Sequence, residues 1–380
     1  MILMHKDIPV ADVTVCNGSI VSVNQIFNRA HYPPGAYIDI PELQGRFLDN
    51  WQKMRAIPQT RQNVEKIIAR TGLSLGELSM MNNAVSLTDC YWFKDKGSLA
   101  WDDVNYHANG FSQDFARSVI TNGDGPISLK TPDLTTDGVL EKYWISINGV
   151  PTLVKFGKFG DMSQGKNLLS ANEVVASKIA DIMGINHVQY FPAKISNGEI
   201  ASACPCFIKN GNEEFVNALQ LMKEQHLNSE MDLFYYLQSI GMQHFIDELI
   251  TFVAVIGNTD CHTKNFGIIR DASTLEVLSP APLYDNGSCL GWNGEFNIRK
   301  ARIKPFRDDI DEQLQLIETL PDSLPSPKEA QEIIENVYQQ FDISEEVCEQ
   351  AKRAVEQNIN YVIEAQEKSA IYFDEEERSR

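Results

Sequence analysis

Basic side chains are scarce in this sequence of 380 residues: 33 Lys and Arg stand against 52 Asp and Glu, a formal net charge of −19. A surface that acidic repels the phosphodiester backbone and anionic lipid, which argues against direct nucleic-acid or membrane-surface binding. The chain also lacks an apolar run of membrane-spanning length. Its most apolar stretch, Leu249 to Gly257, is flanked by Asp247 and Asp260. Cysteines are few and scattered, at 16, 90, 204, 206, 261, 289 and 348, an odd count without paired spacing. That excludes a disulfide framework. With a start that does not resemble a signal peptide, Met1-Ile2-Leu3-Met4-His5-Lys6-Asp7, it leads to the expectation of a reduced cytoplasmic protein. Cys204-Pro205-Cys206 has no second pair at zinc-ligand spacing, so buried packing thiols are expected there. No internal repeat and no low-complexity linker interrupts the chain.

What is present is an ordinary globular balance, 43% hydrophobic and 22% charged, which excludes wholesale disorder. The length allows two lobes and an appendage. Residues 8 to 38 alternate apolar and polar positions (Val10, Val13, Val15, Ile20, Val23) around Asn17-Gly18, the pattern of a small hairpin unit. From Pro41 the period turns helical through Leu43, Phe47, Trp51 and Met54, then Val64, Ile67 and Ile68, with Gly72 as a stop. Residues 74 to 125 carry aromatics among Asp, Asn and Gly and read as a compact irregular segment. A second β-rich stretch is expected from Ile127, with a hairpin of Tyr143 to Ile147 and Thr152 to Phe156 about Gly149. A helix through Asn172 to Ala180 and short strands at Val188 to Lys194 and Ile200 to Ile208 follow. From Glu213 on, the chain reads as helical except for a loop and hairpin around Asp260 and Asp285. Helices are expected over Asp308 to Glu318, Ser326 to Gln340 and Ser344 to Gln366, then a solvated charge run at 374–378.

The chemistry concentrates in Gly257-Asn258-Thr259-Asp260-Cys261-His262-Thr263-Lys264-Asn265-Phe266-Gly267 and in Leu283-Tyr284-Asp285-Asn286-Gly287. Asp260 alone reads as a turn residue satisfied by local amides. With Asn265 five residues on and Asp285 beyond a hairpin, the three match what phosphoryl transfer needs. One carboxylate orients the attacking hydroxyl, while an amide oxygen and a second carboxylate hold Mg²⁺. Asn286-Gly287 is expected to form the bend that turns Asp285 inward. Lys264 is a candidate for stabilising charge in transfer, and His262 for bracing the loop through hydrogen bonds. Lys155, at the end of a hydrophobic strand, is placed to grip ATP phosphates, with Glu173 of the next helix as its ion-pair partner. The single Gly138 in Thr135-Thr136-Asp137-Gly138-Val139-Leu140-Glu141-Lys142 is a weak phosphate-loop signal.

Thr136-Asp137-Gly138 with Lys142, Leu153-Val154-Lys155, Asn172-Glu173, the Asn258 to Phe266 segment and Leu283-Tyr284-Asp285 together resemble the HipA-like serine/threonine kinases, over roughly Ile127 to Glu364. Standard kinase Gly-x-Gly-x-x-Gly and Asp-Phe-Gly motifs are missing, as they are in that family. The resemblance implies an α+β, bilobal protein-kinase-like fold: an N-terminal accessory region over 1–125, a β-rich N-lobe over 126–212 and a helical C-lobe over 213–380. It implies Asp260 as catalytic base, with Lys264 beside it, and Asn265 and Asp285 as Mg²⁺ ligands. Lys155 and Glu173 would serve the ATP phosphates, under a turn of Thr136, Gly138 and Lys142. Cys206 to Ile208 would lie near the adenine-binding hinge, and His262 and Tyr284 would line the nucleotide site. The implied substrate is a protein with a Ser or Thr acceptor, and a helix-turn-helix antitoxin-type protein is a candidate partner. Ser128, Thr135 and Thr136 are candidate autophosphorylation positions. A pseudokinase acting as a partner module and a small-molecule or lipid kinase are the alternatives.

Overall fold

The computed structural model describes every residue except 96, 121–126, 157–166, 196–197, 301–303 and 380, with 118–120 and 368–379 described through their backbone. The chain opens with β1 (Ile2–His5), β2 (Ile8–Cys16) and β3 (Ser19–Ile26). Asn17 and Gly18 join β2 and β3 with φ of 49° and 75°, the left-handed pair a tight hairpin requires. Helix α1 (Pro41–Met54) starts with Pro in its first turn, and α2 (Val64–Thr71) stops at Gly72 in the left-handed region. Then come α3 (Leu75–Met80), β4 (Tyr91–Lys94), α4 (Trp101–Val104), α5 (Tyr106–Asn109) and α6 (Asp114–Ile120). The stretch expected to be irregular therefore supplies a strand. Tyr91-Trp92-Phe93-Lys94 pairs antiparallel with β1 and completes a sheet of order β3-β2-β1-β4.

The second sheet has the order β5-β6-β8-β7, from β5 (Lys142–Ile147), β6 (Val150–Lys155), β7 (Phe191–Lys194) and β8 (Ile200–Pro205), with α7 (Leu168–Met183) between β6 and β7 in the chain. It begins later than expected, because Pro132–Thr135 forms a 3₁₀ turn capped by the Thr131 hydroxyl. Asn148-Gly149 repeats the left-handed hairpin pair, with φ of 51° and 83°.

The third sheet, β11-β10-β9, contains β9 (Glu213–Asn217), a strand where helix was expected. Helices α8 (Ala218–Glu224), α9 (Glu230–Ser239) and α10 (Gln243–Ile256) precede β10 (Gly267–Asp271) and β11 (Val277–Pro280). The helix expected over 308–318 is confined to α11 (Ile310–Leu314). Beyond it the buried Asp247 carboxylate accepts from the N–H groups of Glu318 and Thr319, at 3.1 Å each, and so ends the helical ladder. The chain closes with α12 (Pro327–Gln340) and α13 (Glu345–Ser379). The backbone of α13 runs through the 374–378 charge run, whose side chains lie outside the described residues.

The largest core packs α7, α10, α12 and α13 together, with Val174, Val175, Ile250, Val253, Ile334, Val337, Val355 and Ile359 at its centre. The first 125 residues do not stand apart. Met4, Val85, Trp92, Trp101 and Tyr106 share a cluster with Trp144, Cys206, Ile208 and Ala272. The mixed α and β content matches the class expected from sequence. Among the described residues no helix is long and apolar enough to cross a membrane.

Candidate active site

Helix α10 is buried over most of its length and ends at Gly257, φ 61°, which turns the chain sharply into the loop that follows. A rigid apolar helix thus fixes the start of residues 258–266. Asn258 is buried and works in two directions. Its Oδ1 accepts from the Asp260 N–H at 2.9 Å, and its Nδ2 donates to Asn286 Oδ1 at 3.0 Å. Within the loop, the His262 N–H donates to Asp260 O and the Asn265 N–H to His262 O, both at 2.8 Å. Asn265 Nδ2 donates to Asp260 O at 2.9 Å, leaving its Oδ1 without a hydrogen bond among the described residues. The Lys264 N–H donates to His262 Nδ1 at 3.3 Å, so His262 braces the loop as expected. Asp260 as a residue is exposed, with its carboxyl turned partly into the loop. Partial burial of its carboxyl in the loop raises its pKa, His262 opposes that rise, and the like charge of Asp285 adds to it.

The β10–β11 hairpin returns the chain to the same place. There Leu283 bonds with Asn186 and Val188, and the Tyr284 hydroxyl donates to Lys264 O at 2.7 Å. Asn265 and Asp285 each follow one member of that pair, so their loops meet. Asp285 takes φ 58° itself. The bend expected from Asn286-Gly287 is therefore made one residue earlier. Gly287 serves proximity instead: a Cβ there would lie 2.9 Å from Leu169 O of α7.

Lys155 ends β6 in a buried position and donates to both Glu173 and Asp285. Burial alone would lower the Lys155 pKa, but Asp285 and then Glu173 raise it well above the ordinary lysine value. Burial would likewise raise Asp285, yet Lys155 and Lys142 hold its carboxyl well below the usual range. Glu173 goes the other way, pushed up by burial and by Asp285 against the pull of Lys155. One ammonium cannot offset two carboxylates fully, and Asp285, 41% exposed, keeps its charge. Asn286 N–H donates to Glu173 Oε2 at 2.8 Å, which locks the ion-pair partner to the second loop.

The turn at Gly138 (φ 109°) stands above this cluster, because Lys142 and Lys155 face each other across β5 and β6. Lys142 Nζ donates to Asp137 O at 2.9 Å, and its pKa is pushed down to about 7 by burial, then by Arg61 and Lys155. Lys264 Nζ reaches across from the 258–266 loop to Asp137 Oδ2 at 3.5 Å. The Thr136 hydroxyl donates to Pro132 O and accepts from Trp144 Nε1, each at 2.8 Å. Thr135 is buried and donates to Val85 O at 2.7 Å, while Ser128 Oγ accepts from the Lys130 N–H at 3.3 Å.

Cys206 and Ile208 are not brought to the site by their side chains, which lie in the cluster around Trp92 and Trp101. Between them Phe207 packs against both that cluster and the large core, its ring centroid 5.4 Å from that of Tyr284. Of the 206–208 segment expected at the hinge, it is thus Phe207 whose side chain lies next to Tyr284. Sequence reasoning also missed Tyr190, whose hydroxyl accepts from the Asp285 N–H at 3.3 Å, and the brace made by Asn172. Asn172 Nδ2 donates to Gly287 O and Cys289 O, and its Oδ1 accepts from the Tyr338 hydroxyl at 2.6 Å. Nothing local marks Tyr190. Asn172 had a signal, since an amide inside an apolar helical face needs a partner.

The donors suit a hard cation: the Asn265 amide oxygen and the Asp285 carboxylate are the kind of oxygen ligands that could hold Mg²⁺, with water or phosphate oxygens completing a shell. Among the described residues no group of three or more His, Cys, Asp or Glu could hold a metal by itself.

Comparison with curated proteins returned no match. Among solved structures the chain is similar to HipA of the Shewanella oneidensis MR-1 toxin–antitoxin complex of HipA, HipB and operator DNA. The TM-score is 0.53 at 14% identity, covering 96% of this chain and 99% of that one. It is also similar to the Helicobacter pylori proinflammatory kinase CtkA, with TM-score 0.48 and 18% identity over 62% of this chain and 93% of that one. The Shewanella likeness shows a shared fold. Residues 135–344, more than half of the sequence, match the model of the HipA-like C-terminal domain, and the chain belongs to that family.

Proposed function

We propose that this protein is a kinase that transfers the γ-phosphoryl group of ATP to a Ser or Thr hydroxyl of a protein substrate. One observation carries the reading. Lys155 from β6, Glu173 from α7 and Asp285 from the second loop form one charge cluster, and Asp260 and Asn265 join it through the Asn258–Asn286 and Tyr284–Lys264 bonds. Membership of the HipA-like family supports it. In this reading residues 126–212 carry the nucleotide side, 213–380 the acceptor side, and 1–125 an accessory region.

Asp260 orients the acceptor hydroxyl and takes its proton as the oxygen bonds to the γ-phosphorus. The bond from that phosphorus to the β,γ-bridging oxygen breaks, and ADP leaves. Lys155 holds the α- and β-phosphates, and Glu173 holds Lys155. Lys264 sits where charge builds on the transferring group. Mg²⁺ held by Asn265 and Asp285 would supply neutralisation of the phosphate oxygens. In this reading the adenine base would lie against the 206–208 segment, whose Phe207 ring packs beside Tyr284.

Autophosphorylation within 128–136 belongs to the same proposal. Thr136 is the acceptor nearest Gly138, and its hydroxyl must first leave Pro132 O. A helix-turn-helix protein of the HipB kind is the proposed partner. The net charge of −19 disfavours direct nucleic-acid contact by the bulk surface, whereas the Shewanella complex includes operator DNA. Incubation with Mg-ATP, followed by mass spectrometry of the protein and of a cell extract, tests the reading. New phosphate on Ser or Thr is the expected result; ATP bound without consumption would leave a pseudokinase instead.

A further inference from the structure

We propose that Arg61, with Gln62 and Asn63, positions the nucleotide-covering turn 136–141, so that the N-terminal region sets how tightly ATP is held. The inference rests on the kinase reading above and gives the first third of the chain a part in the site. Arg61 lies between α1 and α2, outside the 135–344 family match, and is 4% exposed. Its Nη2 donates to Thr136 O and its Nε to Gly138 O, one guanidinium fork taking the carbonyls on both sides of Asp137. The Gln62 N–H donates to Val139 O at 2.8 Å, and Gln62 Oε1 accepts from the Glu141 N–H at 3.4 Å. Asn63, in the left-handed region at φ 63°, donates from Nδ2 to Glu141 Oε1 at 2.8 Å. Three consecutive residues thus hold the turn from Thr136 to Glu141.

The direction of those bonds matters more than their number. In a planar trans peptide the carbonyl and the next N–H point opposite ways. Thr136 and Gly138 aim their carbonyls at Arg61, so the N–H groups of Asp137 and Val139 point away from it. Neither N–H has a hydrogen-bond partner among the described residues. These two N–H groups are left to donate to an anion such as phosphate, while the Gly138 N–H between them is taken by Asp137 Oδ1 at 2.7 Å. Lys142 stands against the same turn, its Nζ 2.0 Å from where a Cβ on Gly138 would sit. A lysine at position 61 would keep the charge but lose the rigid two-pronged donor geometry.

Equilibrium titration of the full-length protein with a fluorescent ATP analogue and Mg²⁺, beside steady-state kinetics, tests this on Arg61→Ala, Arg61→Lys and the milder Asn63→Ala. For Arg61→Ala the analogue Kd and the KM for ATP should rise roughly 10- to 100-fold, with KM rising by more than kcat falls. Arg61→Lys should fall between that variant and wild type, and Asn63→Ala should weaken binding several-fold. Should Arg61→Ala not fold by circular dichroism, the other two variants carry the test. Folded variants that bind as tightly as wild type overturn this inference alone. A wild-type chain that binds no ATP overturns the kinase reading and this inference with it.

Discussion

Asn258 Nδ2 donates to Asn286 Oδ1 at 3.0 Å, a buried bond across 28 residues that fastens the loop bearing Asp260 to the loop bearing Asp285. The same Asn258 accepts from the Asp260 N–H, and the Asn286 N–H donates to Glu173. One pair of amides therefore connects the proposed base, the proposed metal ligand and the carboxylate that holds Lys155. The site is over-determined by groups that would touch no substrate.

Asn258→Ala should accordingly damage catalysis from a distance. It removes both bonds and leaves the Asn286 amide oxygen buried without a donor, a loss of about 1–3 kcal/mol of stability. Small shifts in the relative placement of reacting groups cost on the order of 10²-fold in rate. The expected result is a lower unfolding midpoint, kcat down by roughly that factor and a smaller change in KM. Wild-type kcat in the folded variant would show that the bond does not position the loops.

Lys155→Met tests the buried cluster by its stability as well as its chemistry. The substitution leaves Glu173 buried at 3% exposure with no ammonium. Breaking such a pair from one side costs about 3–5 kcal/mol, so denaturant unfolding should shift by an amount in that range. Adding Glu173→Gln should recover much of the loss, because the stranded charge is gone. Phosphoryl transfer should stay absent in both. Additive losses in the double variant would contradict the pairing.

How far the sequence could be read follows from where each signal lay. Asp260, Asn265, Asp285, Lys155 and Glu173, which the structure links through one set of bonds, were singled out because side-chain type and spacing can be read without tertiary contacts. Asn17-Gly18 and Gly149 announced their hairpins through the left-handed backbone they adopt. β4 and β9 were not legible, because both are defined by distant partners: Tyr91 pairs with His5, and Glu214 with Arg270. Glu213-Glu214-Phe215 carries no strand alternation that survives without β10. Arg61 was illegible too, since its acceptors at 136 and 138 are brought to it by tertiary folding. Cys206 and Ile208 were placed by motif position alone, which fixes a backbone but not the direction of its side chains.

The buried Glu214 predicts an acid limb in stability. It accepts from Arg270 Nε at 2.7 Å and pairs with His5 Nε2 at 3.0 Å, joining the first sheet to the third. Burial alone would raise its pKa, but His5 and Arg270 bring it down to about 2. A carboxyl lowered on folding stabilises the protein above its unfolded value near 4.5, and that contribution is lost as pH falls toward 2. Melting midpoints measured from pH 6 down to pH 3 should drop steeply in wild type. Glu214→Gln, less stable at neutral pH, should show a flatter limb; parallel curves would refute the assignment.

Gly287→Ala should loosen the contact between α7 and the second loop. Its Cβ would press on Leu169 O at 2.9 Å and approach Glu173 Cγ at 3.4 Å. Overpacking of this kind costs about 1–3 kcal/mol, and the shift falls on the residue that holds Lys155. Lower stability together with weaker ATP binding is expected. Unchanged ATP affinity with lowered stability would separate the packing from the site.

The most direct test of the central claim is Asp260→Asn, an isosteric change at an exposed loop position. It removes the proton acceptor and leaves the main-chain bonds at His262 and Asn265 in place. Phosphate transfer from Mg-ATP, to itself and to proteins of an extract, should fall below detection while ATP binding and the unfolding midpoint stay near wild type. Full-rate transfer by the folded variant would contradict the account.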